Sequence, residues 1–169
     1  MGGVFNEQIV KRKPTGMDFI KRVGLVLAVL VVAFFSFEYL GFFAPIVVMI
    51  AGFGAWFVMG FMKVEYEYAF TDGELDIDII YNRSRRKRVF SARVGDIEVM
   101  AHVSDKMREA EFSGAAETHD YTSGDVGPDT YAFLINYKGK RTKIIMEPND
   151  KMLKAMATVL TRRRLHVMM

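Results

Sequence analysis

Residues 23–62 constrain this chain more than any other stretch. They lie between Arg22 and Lys63, are almost wholly apolar, and carry one charged side chain, Glu38. As a helix the stretch would run about 60 Å, roughly twice what one bilayer crossing needs. The apolar run breaks at Glu38-Tyr39-Leu40-Gly41, and Pro45 follows shortly after. The pattern predicts two membrane-spanning helices, near residues 19–37 and 42–62, joined by a very short loop. The chain then divides into a basic N-terminal segment (1–18), a two-helix transmembrane hairpin (19–62) and one compact domain (63–169).

Composition agrees once it is read by segment. A length of 169 residues allows one ordinary domain and a small addition. The hydrophobic share of 51% is concentrated in the central stretch, and what remains reads as a soluble domain. The net charge of +3 is also uneven. Lys11, Arg12, Lys13, Lys21 and Arg22 precede the apolar run against Glu7 and Asp18, whereas charges nearly cancel from Lys63 onward. The basic balance therefore gives no argument for a nucleic-acid partner. Cysteine is absent, which excludes disulfides, thiol chemistry and cysteine-ligated metal, and fits a reducing compartment.

The N-terminus Met1-Gly2-Gly3-Val4-Phe5-Asn6 misses the myristoylation pattern, because Asn6 stands where Ser or Thr is needed. Val4, Phe5, Ile9 and Val10 suit one side of a short amphipathic helix ended by Pro14-Thr15-Gly16; a loosely ordered basic tail fits equally. Residues 21–36 have the flank and apolar core of a signal peptide, but Ser36-Phe37-Glu38-Tyr39 offers no small-x-small cleavage site. Within the hairpin, antiparallel pairing would set Gly24 and Ala28 opposite the 54–60 region, and Ala51 and Ala55 are spaced for close helix approach. Trp56 is expected to pack on the first helix. The basic flanks place both termini on the cytoplasmic side of the cell membrane. Glu38 then falls at the outer interface.

After Lys63 the period changes to two. Val64, Tyr66, Tyr68 and Phe70 alternate with Glu65 and Glu67, and Leu75, Ile77, Ile79 and Tyr81 alternate with Asp76 and Asp78. Thr71-Asp72-Gly73 turns the chain between them, and Asn82-Arg83-Ser84 turns it again. Further strands are predicted at 88–92, 97–103, 131–137 and 142–147. Residues 104–129 read as a long loop with a helical turn near 106–112. Asn149 is a plausible N-cap for a closing helix with Met152, Leu153, Met156, Val159 and Leu160 on one face, ended by Arg162-Arg163-Arg164. Tyr68, Phe70, Ile77, Phe90, Ile97, Phe133, Ile135, Ile144, Val159 and Leu160 form the expected core. The outline is six or seven strands in meander order, a mainly-β barrel with one C-terminal α-helix.

Phe70-Thr71-Asp72-Gly73-Glu74-Leu75, then Val94-Gly95-Asp96-Ile97-Glu98-Val99, then the 131–146 pair and a closing helix resemble the bacterial pleckstrin-homology-like (PH-like) domains found beside paired transmembrane helices. Asp96-Ile97 is similar to a W-x-D-I element of those domains, with Ala92-Arg93-Val94-Gly95 replacing the tryptophan-containing part. Lys11-Arg12-Lys13-Pro14-Thr15-Gly16 resembles the start of an uncharacterised family of small bacterial two-helix membrane proteins. The resemblance implies a fold and a location, and brings no catalytic residues.

The residues themselves offer no catalytic constellation. His102, His119 and His166 lack ligand spacing. Glu65, Glu67, Asp76 and Asp78 gather on one face of the first β-hairpin without a calcium-binding loop, and read as a solvated face partly neutralised by arginines. His119, Asp120, Tyr121 and Ser123 fall in a loop with no scaffold to position them. No enzyme activity, cofactor or metal is therefore expected. The function expected is a binding or scaffolding module anchored in the membrane, engaging anionic lipid, a partner protein or copies of itself. The alternative is a non-catalytic accessory subunit of a membrane enzyme or transporter. Geometry adds one site. The first strand leaves the membrane and the second returns, which brings Arg83, Arg85, Arg86, Lys87 and Arg88 beside the lipid headgroups, near Lys63 and the Lys21-Arg22 pair.

Overall fold

Alternation of period two, starting at Val64, builds most of the molecule. The computed structural model describes residues 5–160 and 165–166. Strands β2 (Val64–Thr71), β3 (Glu74–Tyr81) and β4 (Arg85–Arg93) form an antiparallel meander. Asp72 and Gly73 both take positive φ, 48° and 91°, as a tight hairpin between right-twisted strands requires. Asn82 and Arg83 do the same at the next turn, with φ of 49° and 55°.

The fourth strand of this sheet comes from before the helices. β1 (Phe5–Lys11) pairs antiparallel with β2, with Phe5 opposite Thr71 and Lys11 opposite Glu65. Neither a surface helix nor a loose tail forms there. Gln8 is the clasp. Its Nε2 donates to the Glu147 carbonyl at 2.8 Å, and its Oε1 accepts from the Asn149 N–H at 2.7 Å. Val10 is buried against the core, while Phe5 and Ile9 stand exposed on the outer face.

Between β1 and β2 runs the apolar region. Helix α1 (Gly16–Leu40) starts with a capping box in which Thr15 and Asp18 satisfy each other's backbone amides. A 3-10 turn (Gly41–Phe43) follows, with Gly41 at φ 49° where a Cβ would be strained. Helix α2 (Ala44–Phe61) has proline in its first turn, where no intrahelical N–H is lost. The two helices pack on each other. The small-residue face is not the one expected. A Cβ added at Gly24 or Gly54 would meet open space, and Ala28 is exposed. The buried positions are Ser36, Ala44 and Ala55, so Ala51 and Ala55 lie on the inner side and Gly24 and Gly54 do not. Trp56 is 67% exposed and lies beside Phe53 rather than packing on α1.

The second sheet has the order β6-β8-β7-β5-β9, so the meander does not extend through the whole domain. It contains β5 (Ile97–His102), β6 (Glu117–Asp120), β7 (Tyr131–Tyr137), β8 (Lys140–Met146) and β9 (Leu165–His166). β6 lies inside the expected long loop and runs parallel to β8. The short helix α3 (Glu109–Phe112) brings Phe112 onto the outer side of β5 and β7, making a small second core with Val99, Ala101, Ala132 and Leu134.

The main core lies between the sheets. Tyr68, Phe70, Ile77, Phe90, Ile97, Phe133, Ile135 and Ile144 are all at or below 2% exposure and share one cluster. Helix α4 (Asp150–Val159), N-capped by Asn149, covers its open side with Met152, Ala155 and Met156, and Leu160 follows them in. Val159 is 41% exposed and stays at the rim beside Gly73 and Gly95, outside the core expected for it. The basic run Arg162-Arg163-Arg164, expected to end this helix, lies outside the described residues.

Candidate functional site at the junction of helices and sheet

β2 leaves the end of α2 and runs about 26 Å before the Asp72-Gly73 turn; β3 returns the same distance. The Asn82-Arg83 turn therefore lies where the helices meet the sheet. Contacts confirm the placement. Asn82 N–H donates to the Lys63 carbonyl at 3.0 Å. A Cβ on Gly60 would come within 3.2 Å of the Asn82 side chain, so α2 touches this turn closely enough to favour glycine. Arg85 lies over the Phe61 ring, 5.6 Å from its centroid.

The five basic residues expected at this turn have different fates. Alternation sends Arg86 and Arg88 to the outer face of the first sheet, where the carboxylates of β2 and β3 stand. Arg86 Nη2 donates to Glu67 Oε1 at 2.9 Å; it also lies 2.7 Å from Oε2, without hydrogen-bond alignment. Arg88 bridges Asp76 at 3.0 Å and Asp78 at 3.1 Å. Arg83 reaches Glu65 at 3.4 Å. Arg85 and Lys87 make no ion pair among the described residues, and both are exposed. The acidic face is thus a cross-strand ladder of ion pairs.

Glu67 sits at the centre of that ladder and is 3% exposed. Burial is the main reason its carboxyl is pushed above the ordinary range, with a hydrogen bond to Glu7 second and Arg86 opposing.

Behind the turn lies a cavity of about 510 Å³. Five segments wall it: the end of β1, the first turns of α1, the end of α2, the start of β2 and the β3–β4 turn. Lys11, Arg12, Lys13, Arg22, Lys63 and Arg83 line it against Asp18 and Glu65. Hydrogen bonds from Thr15 hold the Asp18 carboxyl below its ordinary value. A hydrogen bond to Asp125 raises Lys13 and turns its ammonium toward that residue. Sequence reasoning brought Arg83 near Arg22 and Lys63, and missed Lys11, Arg12 and Lys13, which reach the cavity only because β1 pairs with β2.

The remaining groups singled out in the sequence are held by the fold. His102 lies between Ser104 N–H and the carbonyls of Gly127 and Pro128, at 3.0–3.2 Å. His119 stacks on Tyr121 and lies 3.6 Å from Glu117. The Tyr68 hydroxyl donates to the Tyr121 carbonyl, and burial raises its pKa. Asp120 accepts from the Thr122 amide and hydroxyl, and Ser123 donates to Glu147. Among the described residues the opposite end of the first sheet is acidic: Asp72, Glu74, Asp76 and Asp96 line an open groove together with Arg93.

Residues 3–165 match the family described as bacterial PH-like domain (DUF6106). No curated protein and no solved structure matches the chain.

Proposed function

The chain belongs to this family of bacterial PH-like domains, and on that footing we propose that it is an integral membrane protein whose PH-like module serves binding or scaffolding at the cytoplasmic face. One observation carries the membrane part of the reading. The apolar helices emerge from a folded sheet with only 6% of their most apolar window buried. A core helix of a soluble protein would be mostly covered. Phe34, Phe35, Phe37, Phe42, Ile50 and Phe53 are each more than half exposed, and such a surface calls for lipid or other helices. A cleaved signal sequence fits poorly, because β1 precedes α1 and forms part of the sheet.

Lengths support a paired crossing. The apolar part of α1 (23–40) and the whole of α2 each span about 27 Å, close to the hydrocarbon thickness of a bilayer. Lys11 and Glu65 are strand partners, so the outer ends of both helices lie on one side. The basic residues at those ends favour the cytoplasm. On this reading Arg85 and Lys87 face the anionic leaflet and help set the tilt of the module, while Arg83, Arg86 and Arg88 act mainly in the ion-pair ladder.

The test is topological. Cytoplasm-dependent reporters at either terminus should be active, one inserted at Gly41 should read as external, and the chain should resist carbonate extraction. A C-terminal reporter that reads as external, or release by carbonate, overturns the reading.

A further inference from the structure

The junction cavity collects more positive charge than the fold itself neutralises. Both of its carboxylates are engaged. Asp18 accepts from the Thr15 amide and hydroxyl at 2.9 Å, and Glu65 faces Arg83. Lys13 is engaged by Asp125. Lys11, Arg12, Arg22 and Lys63 make no ion pair among the described residues, yet three separate segments bring them to one cavity. Like charges gathered in a concave site repel one another and focus a field that attracts an anion.

The chemistry of the wall selects the anion. Two guanidinium groups supply planar forks suited to phosphate oxygens, and two ammonium groups add compact point charges. A volume of about 510 Å³ falls within the range of small-ligand sites and exceeds what a bare phosphate fills. Position selects the source. Arg22 is the last residue before the apolar run of α1, and Lys63 follows the end of α2 by two residues, so the cavity stands at headgroup depth when the helices cross. We propose that this cavity seats the phosphate headgroup of an anionic phospholipid. The inference rests on the membrane-spanning reading. It places the lipid site behind the β3–β4 turn, not on the exposed arginines of β4.

Native mass spectrometry of the full chain in a neutral detergent tests it. Phosphatidylglycerol should be retained on the order of a hundredfold more than phosphatidylcholine, given what each basic residue contributes near an anionic lipid. The combined variant Arg12→Gln/Arg22→Gln/Lys63→Gln should abolish that preference. Arg12→Gln and Arg22→Gln alone should each reduce it about threefold to fivefold, which covers the case of a triple variant that does not fold. Lys151→Gln/Lys154→Gln, an exposed pair on α4, should leave it unchanged. The proposal fails if the two lipids are retained equally, if the single variants keep the full preference, or if the α4 variant loses as much. Displacement of the lipid by inorganic phosphate at equal concentration would assign the cavity to a free anion instead. Carbonate extraction reports on the anchor separately: a resistant chain without headgroup preference removes the cavity proposal alone.

Discussion

Replacing Gln8 by alanine tests how the N-terminal strand is held. The side chain makes two hydrogen bonds across the molecule, to the Glu147 carbonyl at 2.8 Å and from the Asn149 amide at 2.7 Å. It stands opposite Tyr68 in the β1–β2 ladder and on the core side of the sheet. Gln8→Ala removes both bonds while leaving the β1 backbone pairing available. At about 1 kcal/mol for each, the loss is about 2 kcal/mol, and more where the orphaned groups stay out of water. Those groups belong to the N-cap residue of α4 and to Glu147 two residues before it, so the effect should be local first. Hydrogen exchange on the full chain in detergent is the suitable assay. The Asn149 amide should exchange roughly 30-fold faster if it opens with that loss. Amides of β7 should change far less. Unchanged protection at Asn149 would refute the clasp, and equal loss throughout β7 would show that β1 holds the whole fold rather than one corner.

Two other outcomes follow from the core and the ladder. Phe133→Ala removes a ring with no exposure that packs 5.8 Å from Phe90, and should lower the stability of the full chain by about 3–5 kcal/mol, read from denaturant midpoints. The Glu67 carboxyl is raised in the folded chain, so the native state holds its proton more tightly than the unfolded state does. Stability from this group is therefore greatest below the ordinary value of 4.5 and is lost as pH rises through the elevated folded value. Glu67→Gln should accordingly flatten the fall in melting temperature between pH 4.5 and neutrality; an unaltered pH profile counts against the assignment.

Strands β2 to β5, β7 and β8 were legible because one of their faces is wet, or because their apolar runs are short and bounded by turns. Tyr66, Tyr68 and Phe70 against Glu65 and Glu67 leave little choice of register. β1 was not legible for the opposite reason. Its core side carries Asn6 and Gln8 beside Val10, and its outer side carries Phe5 and Ile9 beside Glu7 and Lys11, so the usual rule of apolar-in and polar-out is broken on both faces. The exception is tolerable because Gln8 finds backbone partners at its inward position. β6 was hidden by composition: Glu117-Thr118-His119-Asp120 is polar throughout and pairs only with β8, at the edge of the sheet. In the helices, glycine content suggested the contact face, but helical phase decides it, and phase put Ser36, Ala44 and Ala55 inside. The ladder was partly legible, since acidic and basic strands adjoin in sequence. The cavity was legible in part: the return of β3 brought Arg83 near Arg22 and Lys63, but Lys11, Arg12 and Lys13 join them only through the unforeseen pairing of β1 with β2.

The place of the helices in the chain also bears on how the module is carried. The helices are inserted between two strands that are direct neighbours, with residues 12–15 on one side and residues 62–63 on the other as the only connections. A domain hung from one helix by one linker could swivel. Here both connections are short, and both lead into the same antiparallel ladder. Arg12 N–H donates to the Val64 carbonyl at 3.1 Å, which continues the ladder to the foot of the helices, and Asn82 N–H closes on Lys63 from the other side. Swinging the sheet away from the helices would break these bonds and the contact between Gly60 and Asn82 together. The module is therefore held at a set angle, with its basic end toward the helices and its acidic groove about 26 Å away. On the proposed scaffolding role, a partner recognising the distal end would meet it at a fixed orientation to the helices.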